Sequence, residues 1–203
     1  MKPRANPSTL SRILPAVLFA FFCASCSSIS SGPGNPPVVK ADQPFPSAGS
    51  IEMQLDSGDF HIRPADGDRI RVTFSGNTAN AAAALAINGA HATLAVNHTP
   101  HNNFNATIEV PKTADLVIHF TAGDLDLAPI TGNKDIDSKA GDLTIAAGSP
   151  NDYASVDATV KVGDLSGGPF GAATGEISHH LAWSGPGKYT LRASLTAGDL
   201  NLK

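Results

Sequence analysis

The chain has 203 residues, of which 41% are hydrophobic and 16% charged, and its formal net charge is −4 at pH 7. This length suffices for one domain with a hydrophobic core. A net negative chain lacks the basic surface that nucleic acids require, which argues against a nucleic-acid partner.

The first residues have the order of an export signal. Three cations, Lys2, Arg4 and Arg12, precede a short apolar stretch, Ile13–Phe22. Small residues follow this stretch, as they do at a signal-peptide cleavage site. The apolar stretch is shorter than the roughly 20 residues that a membrane-spanning helix needs. We therefore predict a lipoprotein-type signal peptide over residues 1–25.

The segment Cys23-Ala24-Ser25-Cys26 resembles the lipobox of bacterial lipoproteins, although Cys23 stands where a leucine is usual. The resemblance implies lipid attachment at Cys26, a membrane partner through this N-terminal anchor, and, because Ser27 follows, the outer membrane. The alternative is an ordinary cleaved signal that leaves Cys26 as a free thiol. No cysteine follows Cys26, so the exported domain has no disulfide.

Residues 26–48 are rich in Ser, Gly and Pro. A segment of this composition buries too little apolar surface to order itself. We predict a tether there, followed by a β-strand-repeat domain over residues 49–203.

From Gly49 onward the apolar residues alternate with polar ones over short runs, as in Ile51, Met53 and Leu55. This period of two predicts strands with one buried face. Asn88-Gly89 predicts a hairpin turn that joins Leu85–Ile87 to Leu94–Val96. A short helix over Ala81–Ala86 is the one alternative to strand. The last strand, Leu200–Leu202, is expected at an edge of the sheet or at a docking point.

Five Gly-Asp pairs punctuate the strands, and a large apolar residue follows each pair. Glycine adopts positive φ without a steric penalty, and aspartate accepts hydrogen bonds from nearby backbone N–H groups. Recurring turns of this kind are typical of stacked similar coils. The fold class predicted is all-β, as a short β-solenoid or a coiled β-sandwich. The predicted turn-forming residues are Gly58, Asp59, Gly123, Asp124, Gly141, Asp142, Gly163, Asp164, Gly198 and Asp199.

Three stretches carry a resemblance to a known family. They are Ile108–Leu127, Ile136–Ile145 and Leu191–Leu202, and each contains one Gly-Asp pair. In these motifs the chain resembles the bacterial putative-adhesin family of unknown function, over roughly residues 49–203. The resemblance implies a β-repeat fold at the cell envelope and brings no catalytic residues.

The aspartates are the first candidates for chemistry. If Asp124, Asp142 and Asp164 lie on successive coils, their carboxylates stack about 4.8 Å apart and repel one another. Backbone N–H groups in the turns offset this repulsion in one interpretation, and a bound Ca²⁺ offsets it in the other. The tandem GGxGxD repeats of calcium-binding β-rolls are absent from the sequence.

Trp183 and Tyr189 flank a glycine-rich turn and are candidates for a platform on which sugar rings stack. Both also fit the inward-facing alternation, so packing in the core is the competing interpretation. The adjacent histidines His179 and His180 point to opposite faces if their segment is extended, which argues against one metal site.

No Gly-x-Ser-x-Gly motif is present. We therefore predict a non-catalytic envelope lipoprotein without a cofactor, a scaffold or adhesin-like module that binds an unknown envelope protein or polysaccharide. The alternatives are a calcium- or carbohydrate-binding module and, less favoured, a glycan hydrolase or lyase on a β-helix.

Overall fold

The computed structural model describes residues 36–203, whose regular secondary structure is β-strand apart from two single-turn 3-10 helices at Pro150–Asp152 and Gly168–Phe170. The predicted signal peptide and lipidation site lie outside these residues. Within residues 36–203, no helix is long and apolar enough to span a membrane. The strands are β1 (Val38–Pro44), β2 (Gly49–Pro64), β3 (Arg69–Gly76), β4 (Ala82–Asn88), β5 (His91–Asn97), β6 (Phe104–Val110), β7 (Ala114–Leu127), β8 (Lys134–Ile145), β9 (Tyr153–Val162), β10 (Leu165–Ser166), β11 (His179–Ser184), β12 (Tyr189–Ala197) and β13 (Leu200–Leu202).

Five strands form a parallel, in-register stack in the order β2-β7-β8-β12-β9. Antiparallel strands flank this stack: β4 pairs with β5, β1 and β6 pair with β3, and β11 pairs with β9. The prediction of an all-β fold is confirmed. The sheet is mixed, with parallel pairs at its centre, antiparallel pairs at three of its edges and the parallel pair of β10 and β13 at the fourth.

Each long strand turns at its Gly-Asp pair. In β2 the residues Ile51, Met53 and Leu55 are buried before the pair, and Phe60 and Ile62 are buried after it. In β2 the buried residues are thus odd-numbered before the corner and even-numbered after it, because the corner adds one residue to the alternation of buried and outward side chains. Both groups of buried side chains belong to one hydrophobic core.

The corner divides the sheet into two halves. The residues before the corner form what we call the front half, in the order β4-β5-β2-β7-β8-β12-β9-β11. The residues after the corner form the back half, in the order β1-β3-β6-β2-β7-β8-β13-β10. The core contains the inward side chains of both halves.

The hairpin predicted at Asn88-Gly89 is confirmed, since β4 and β5 pair from Ala82↔Asn97 to Asn88↔His91. Residues 82–86 belong to strand β4, so the helical alternative over Ala81–Ala86 is wrong. The last strand, β13, is not at an edge, because β8 and β10 pair with it on its two sides.

The tether predicted for residues 26–48 is too long at its C-terminal end. Residues 38–44 form β1, which pairs with β3. Asp42 of β1 accepts hydrogen bonds from Arg69 and Arg71 of β3, and the following Phe45 is 1% exposed. Long-range backbone pairing and these charge-assisted bonds order a segment whose composition alone predicts disorder.

Candidate functional site

The five Gly-Asp pairs of the sequence stack in one column. In spatial order the glycines are Gly58, Gly123, Gly141, Gly198 and Gly163, and each has positive φ. A Cβ at any of the last four would overlap the carbonyl oxygen of the glycine before it in the column. Glycine is thus required here both by its own φ and by the close approach of the neighbouring strand. The predicted turn residues occupy equivalent positions in the fold.

The aspartates form a parallel column in the order Asp59, Asp124, Asp142, Asp199 and Asp164. Asp142 accepts a hydrogen bond from the backbone N–H of Asp199 at 3.3 Å, and Asp199 accepts one from the N–H of Asp164 at 3.0 Å. Our expectation that Asp142 and Asp164 are successive neighbours is wrong, because β12 lies between β8 and β9 and brings Asp199 between them.

The carboxylates of this column repel one another where they lie closest. Burial raises the pKa of Asp124, and the charges of Asp59 and Asp142 raise it further, while His61 opposes the shift. Among residues 36–203, no three His, Cys, Asp or Glu side chains lie together in a way that could hold a metal ion. The bonds at Asp142 and Asp199 are those expected if backbone N–H groups stabilise the column.

His179 and His180 lie on strand β11 and therefore point to opposite faces, as expected for an extended segment. His180 Nε2 lies 3.6 Å from Asp157 Oδ1 on the neighbouring strand.

Trp183 and Tyr189 are both half-buried against the core. The Trp183 ring packs edge-on against Phe170, with a centroid distance of 5.2 Å. Tyr189 borders a cavity of about 130 Å³, which Trp183 does not line, and the Lys188 ammonium lies 4.7 Å from its ring centroid. The packing of Trp183 favours the core interpretation over a shared stacking platform.

Lys134 is a buried charged residue that the sequence analysis missed. Its side chain is 1% exposed, and it occupies the inward position that Leu116 and Leu191 occupy on the neighbouring strands. Lys134 Nζ donates to the carbonyl of Gly132 at 3.2 Å and to the hydroxyl of Tyr153 at 2.7 Å. Aligning the repeats on their Gly-Asp pairs would have revealed it, since Lys134 precedes Gly141 by the same interval that separates Leu116 from Gly123.

The environment of Lys134 and Tyr153 shifts the pKa of both side chains. Burial lowers the pKa of Lys134 from 10.5 to about 8, although the charges of Asp115 and Asp152 oppose the shift. Burial also raises the pKa of Tyr153 from 10.0 to about 12, and Asp152 adds to that shift. The Tyr153 hydroxyl donates to the carbonyl of Ala147 at 3.0 Å. The pair therefore links β8 to β9 and to the loop between them.

The outer face of the front half carries three adjoining depressions, which we call the polar trough. Their volumes are about 550, 320 and 420 Å³. Gln54 lines both the first and the second, and Asp137 lines both the second and the third, so the three lie side by side. The trough runs across the strands from β4 to β9. Its outward-facing lining includes Glu52, Gln54, Ala84, Ala86, Thr93, Ala95, Asp56, His119, Asp137, Lys139, Asp135, Asp157, Thr159, Arg192 and Ser194, with Lys40 and Gln43 of β1 at one end.

The in-register pairing of the strands places these short polar side chains in rows. Arg192 of β12 pairs with Asp135 of β8 on one side and with Asp157 of β9 on the other. His119 of β7 pairs with Asp137 of β8. At these positions acceptors lie beside donors on neighbouring strands about 4.8 Å apart, which suits an extended partner lying across the strands.

No protein-family model and no curated protein matches the chain. Solved structures do match. A putative cell adhesion protein from Clostridium sporogenes is 14% identical, and the match covers 83% of this chain and 99% of that protein with a TM-score of 0.52. This chain has a similar fold. A putative adhesin from Bacteroides fragilis is 10% identical over 83% of this chain and 98% of its own, with a TM-score of 0.26. A putative adhesin from Parabacteroides merdae is 11% identical over 65% and 67%, with a TM-score of 0.27.

Proposed function

We propose that this protein is a non-catalytic, adhesin-like interaction module of the bacterial cell envelope, which binds its partner through the polar trough. The observation that carries the proposal is the row of three adjoining depressions on a fold similar to that of a putative cell adhesion protein. Binding surfaces of stacked-strand proteins are extended and rely on many small contacts.

A non-catalytic role accords with the chemistry of the described residues. The two groups with the largest pKa shifts, Lys134 and Tyr153, are at most 2% exposed, and their polar atoms bind each other and backbone carbonyls. The cavity that Tyr153 borders is about 130 Å³, which is smaller than the clefts of about 300–1,000 Å³ that hold small-molecule substrates. The parallel column of equivalent corners further supports a short stack of repeats, which is the solenoid-like interpretation of the fold.

The proposal includes a lipid anchor at Cys26 and an outer-membrane location, which the lipobox resemblance supports. Cys26→Ser removes the acceptor thiol. We expect the unaltered protein to sediment with membranes and to have an acylated N-terminal cysteine by mass spectrometry. We expect the variant to lack this acyl group. An unmodified N-terminal residue on the mature, unaltered protein would contradict the anchor.

Binding is tested separately with the detergent-free Cys26→Ser protein and purified envelope fragments in a sedimentation assay. The double variant His119→Ala/Asp137→Ala removes two neighbouring side chains from the centre of the trough. Its control, His61→Ala/Asp126→Ala, removes an equivalent pair from the back half, where the two side chains lie 3.7 Å apart. Loss of binding in the first variant alone is expected, and equal binding by both would contradict the proposal.

A further inference from the structure

We infer that the polar trough binds a single chain of a linear, uncharged polysaccharide laid across the strands. This inference rests on the proposed function and names the class of its partner. The length of the trough, the chemistry of its lining residues and its net charge support the inference.

The trough has the dimensions of an extended polymer site. It crosses seven adjacent strands from β4 to β9, which at about 4.8 Å between strands amounts to roughly 30 Å. Its three parts adjoin one another, with Gln54 between the first and second and Asp137 between the second and third. A compact small molecule would occupy one part only, whereas a chain of several sugar units can contact all three.

The lining matches polyhydroxylated ligands. Each sugar hydroxyl both donates and accepts a hydrogen bond, and the trough offers both partners at close intervals. Asp137 accepts, Arg192 donates, and the amide of Gln54 does both. At the β4 end the outward floor consists of Ala84 and Ala86, whose methyl groups offer a small apolar surface to the C–H face of a sugar ring.

The charge of the trough excludes an anionic polymer. Five carboxylates line it against three cations, and the chain as a whole is net negative. An acidic polysaccharide or a nucleic acid would meet net repulsion in the second and third depressions, where the excess of carboxylates lies. The carboxylates are Glu52, Asp56, Asp135, Asp137 and Asp157, and the cations are Lys40, Lys139 and Arg192.

A protein partner fits this lining less well. The centres of protein interfaces are enriched in exposed aromatic side chains and depleted of charge. Among the described lining residues the aromatic side chain is Phe120, which is 2% exposed and belongs to the core. Charged and short polar groups occupy the middle of the trough instead.

The test is titration of the Cys26→Ser protein with chitohexaose and cellohexaose as uncharged probes and a hyaluronan hexasaccharide as the anionic probe. Calorimetry gives the affinity, and amide chemical shifts map the contacts. We expect saturable binding of at least one uncharged probe, with shifts along β2, β7, β8 and β12 before their corners. His119→Ala/Asp137→Ala should weaken it by about tenfold or more, whereas His61→Ala/Asp126→Ala should change it less than about twofold.

Three outcomes would overturn the inference: no binding of either uncharged probe at millimolar concentration, preferential binding of the hyaluronan probe, or binding unaffected by the trough variant. The proposed function would survive them if envelope fragments still bind through the trough. In that case protease treatment of the fragments should abolish binding, which would identify a protein partner.

Discussion

Replacing Lys134 with leucine should stabilise the protein at neutral pH. The lowered pKa, from 10.5 to about 8, corresponds to about 3 kcal/mol of unfavourable free energy for the buried charge. The variant removes this cost but leaves the Gly132 carbonyl without its donor, which costs about 1 kcal/mol. Leucine is also the residue at this position on β7 and β12. We therefore expect a net gain of about 1–2 kcal/mol in the free energy of unfolding at pH 7.

The gain should depend on pH in a defined direction. Between pH 8 and 10.5 the unfolded lysine keeps a proton that the folded one has lost, so the wild-type free energy of unfolding rises with pH. Above pH 10 the raised pKa of Tyr153 acts in the opposite direction, because the unfolded tyrosine ionises first. The advantage of Lys134→Leu should therefore shrink between about pH 8 and 10.5, which are the folded and unfolded pKa values of the lysine, because the titration of Tyr153 is common to both proteins.

Urea denaturation followed by circular dichroism at several pH values measures both effects, and a thermal melt at pH 7 should show a rise in Tm of about 2–8 °C. Lys139→Leu on the same strand is the control, since Lys139 is exposed and its replacement should leave the pH profile unchanged. A Lys134→Leu protein that is less stable than wild type at pH 7, or whose advantage grows with pH, would refute the reasoning.

Three further predictions concern the Gly-Asp corners. Gly141→Ala should lower the free energy of unfolding, measured by urea denaturation, by about 2–4 kcal/mol, because a Cβ there overlaps the Gly123 carbonyl at a φ of 114°. The control is Gly67→Ala, which is also at positive φ but in open space and should lower it by only about 1 kcal/mol. Equal losses in the two variants would contradict the close approach of the strands at Gly141. Leu143→Asp places a charge at a position that is 1% exposed and should abolish the cooperative transition in calorimetry, so a melt like that of wild type would show that the site is not buried. Millimolar Ca²⁺ should leave the wild-type Tm unchanged if backbone N–H groups stabilise the aspartate column, whereas a rise that EGTA reverses would show calcium binding.

Local patterns predicted much of the fold. The period of two identified buried positions such as Leu125 and Leu143, which are each 1% exposed. Asn88-Gly89 identified the β4–β5 hairpin. These features depend on the conformational preferences of a few neighbouring residues, which a sequence displays directly.

The order of the strands was beyond such reasoning. The last long strand, β12, pairs between β8 and β9, which changes the neighbours of Asp142 and Asp164. Each corner presents the same turn to its neighbours, so the local sequence does not state which repeats are adjacent. The position of β1 depends likewise on pairing with β3, about 30 residues away, and not on its own composition.

The sequence by itself determined an all-β chain, its corners and the inward face of its strands, because alternation and turn chemistry are local properties. Only the tertiary structure decided that Lys134 is buried against Tyr153 and that Gln54, His119, Asp137 and Arg192 share one trough. The four trough residues come from four separate strands, and long-range pairing of these strands in register brings them together.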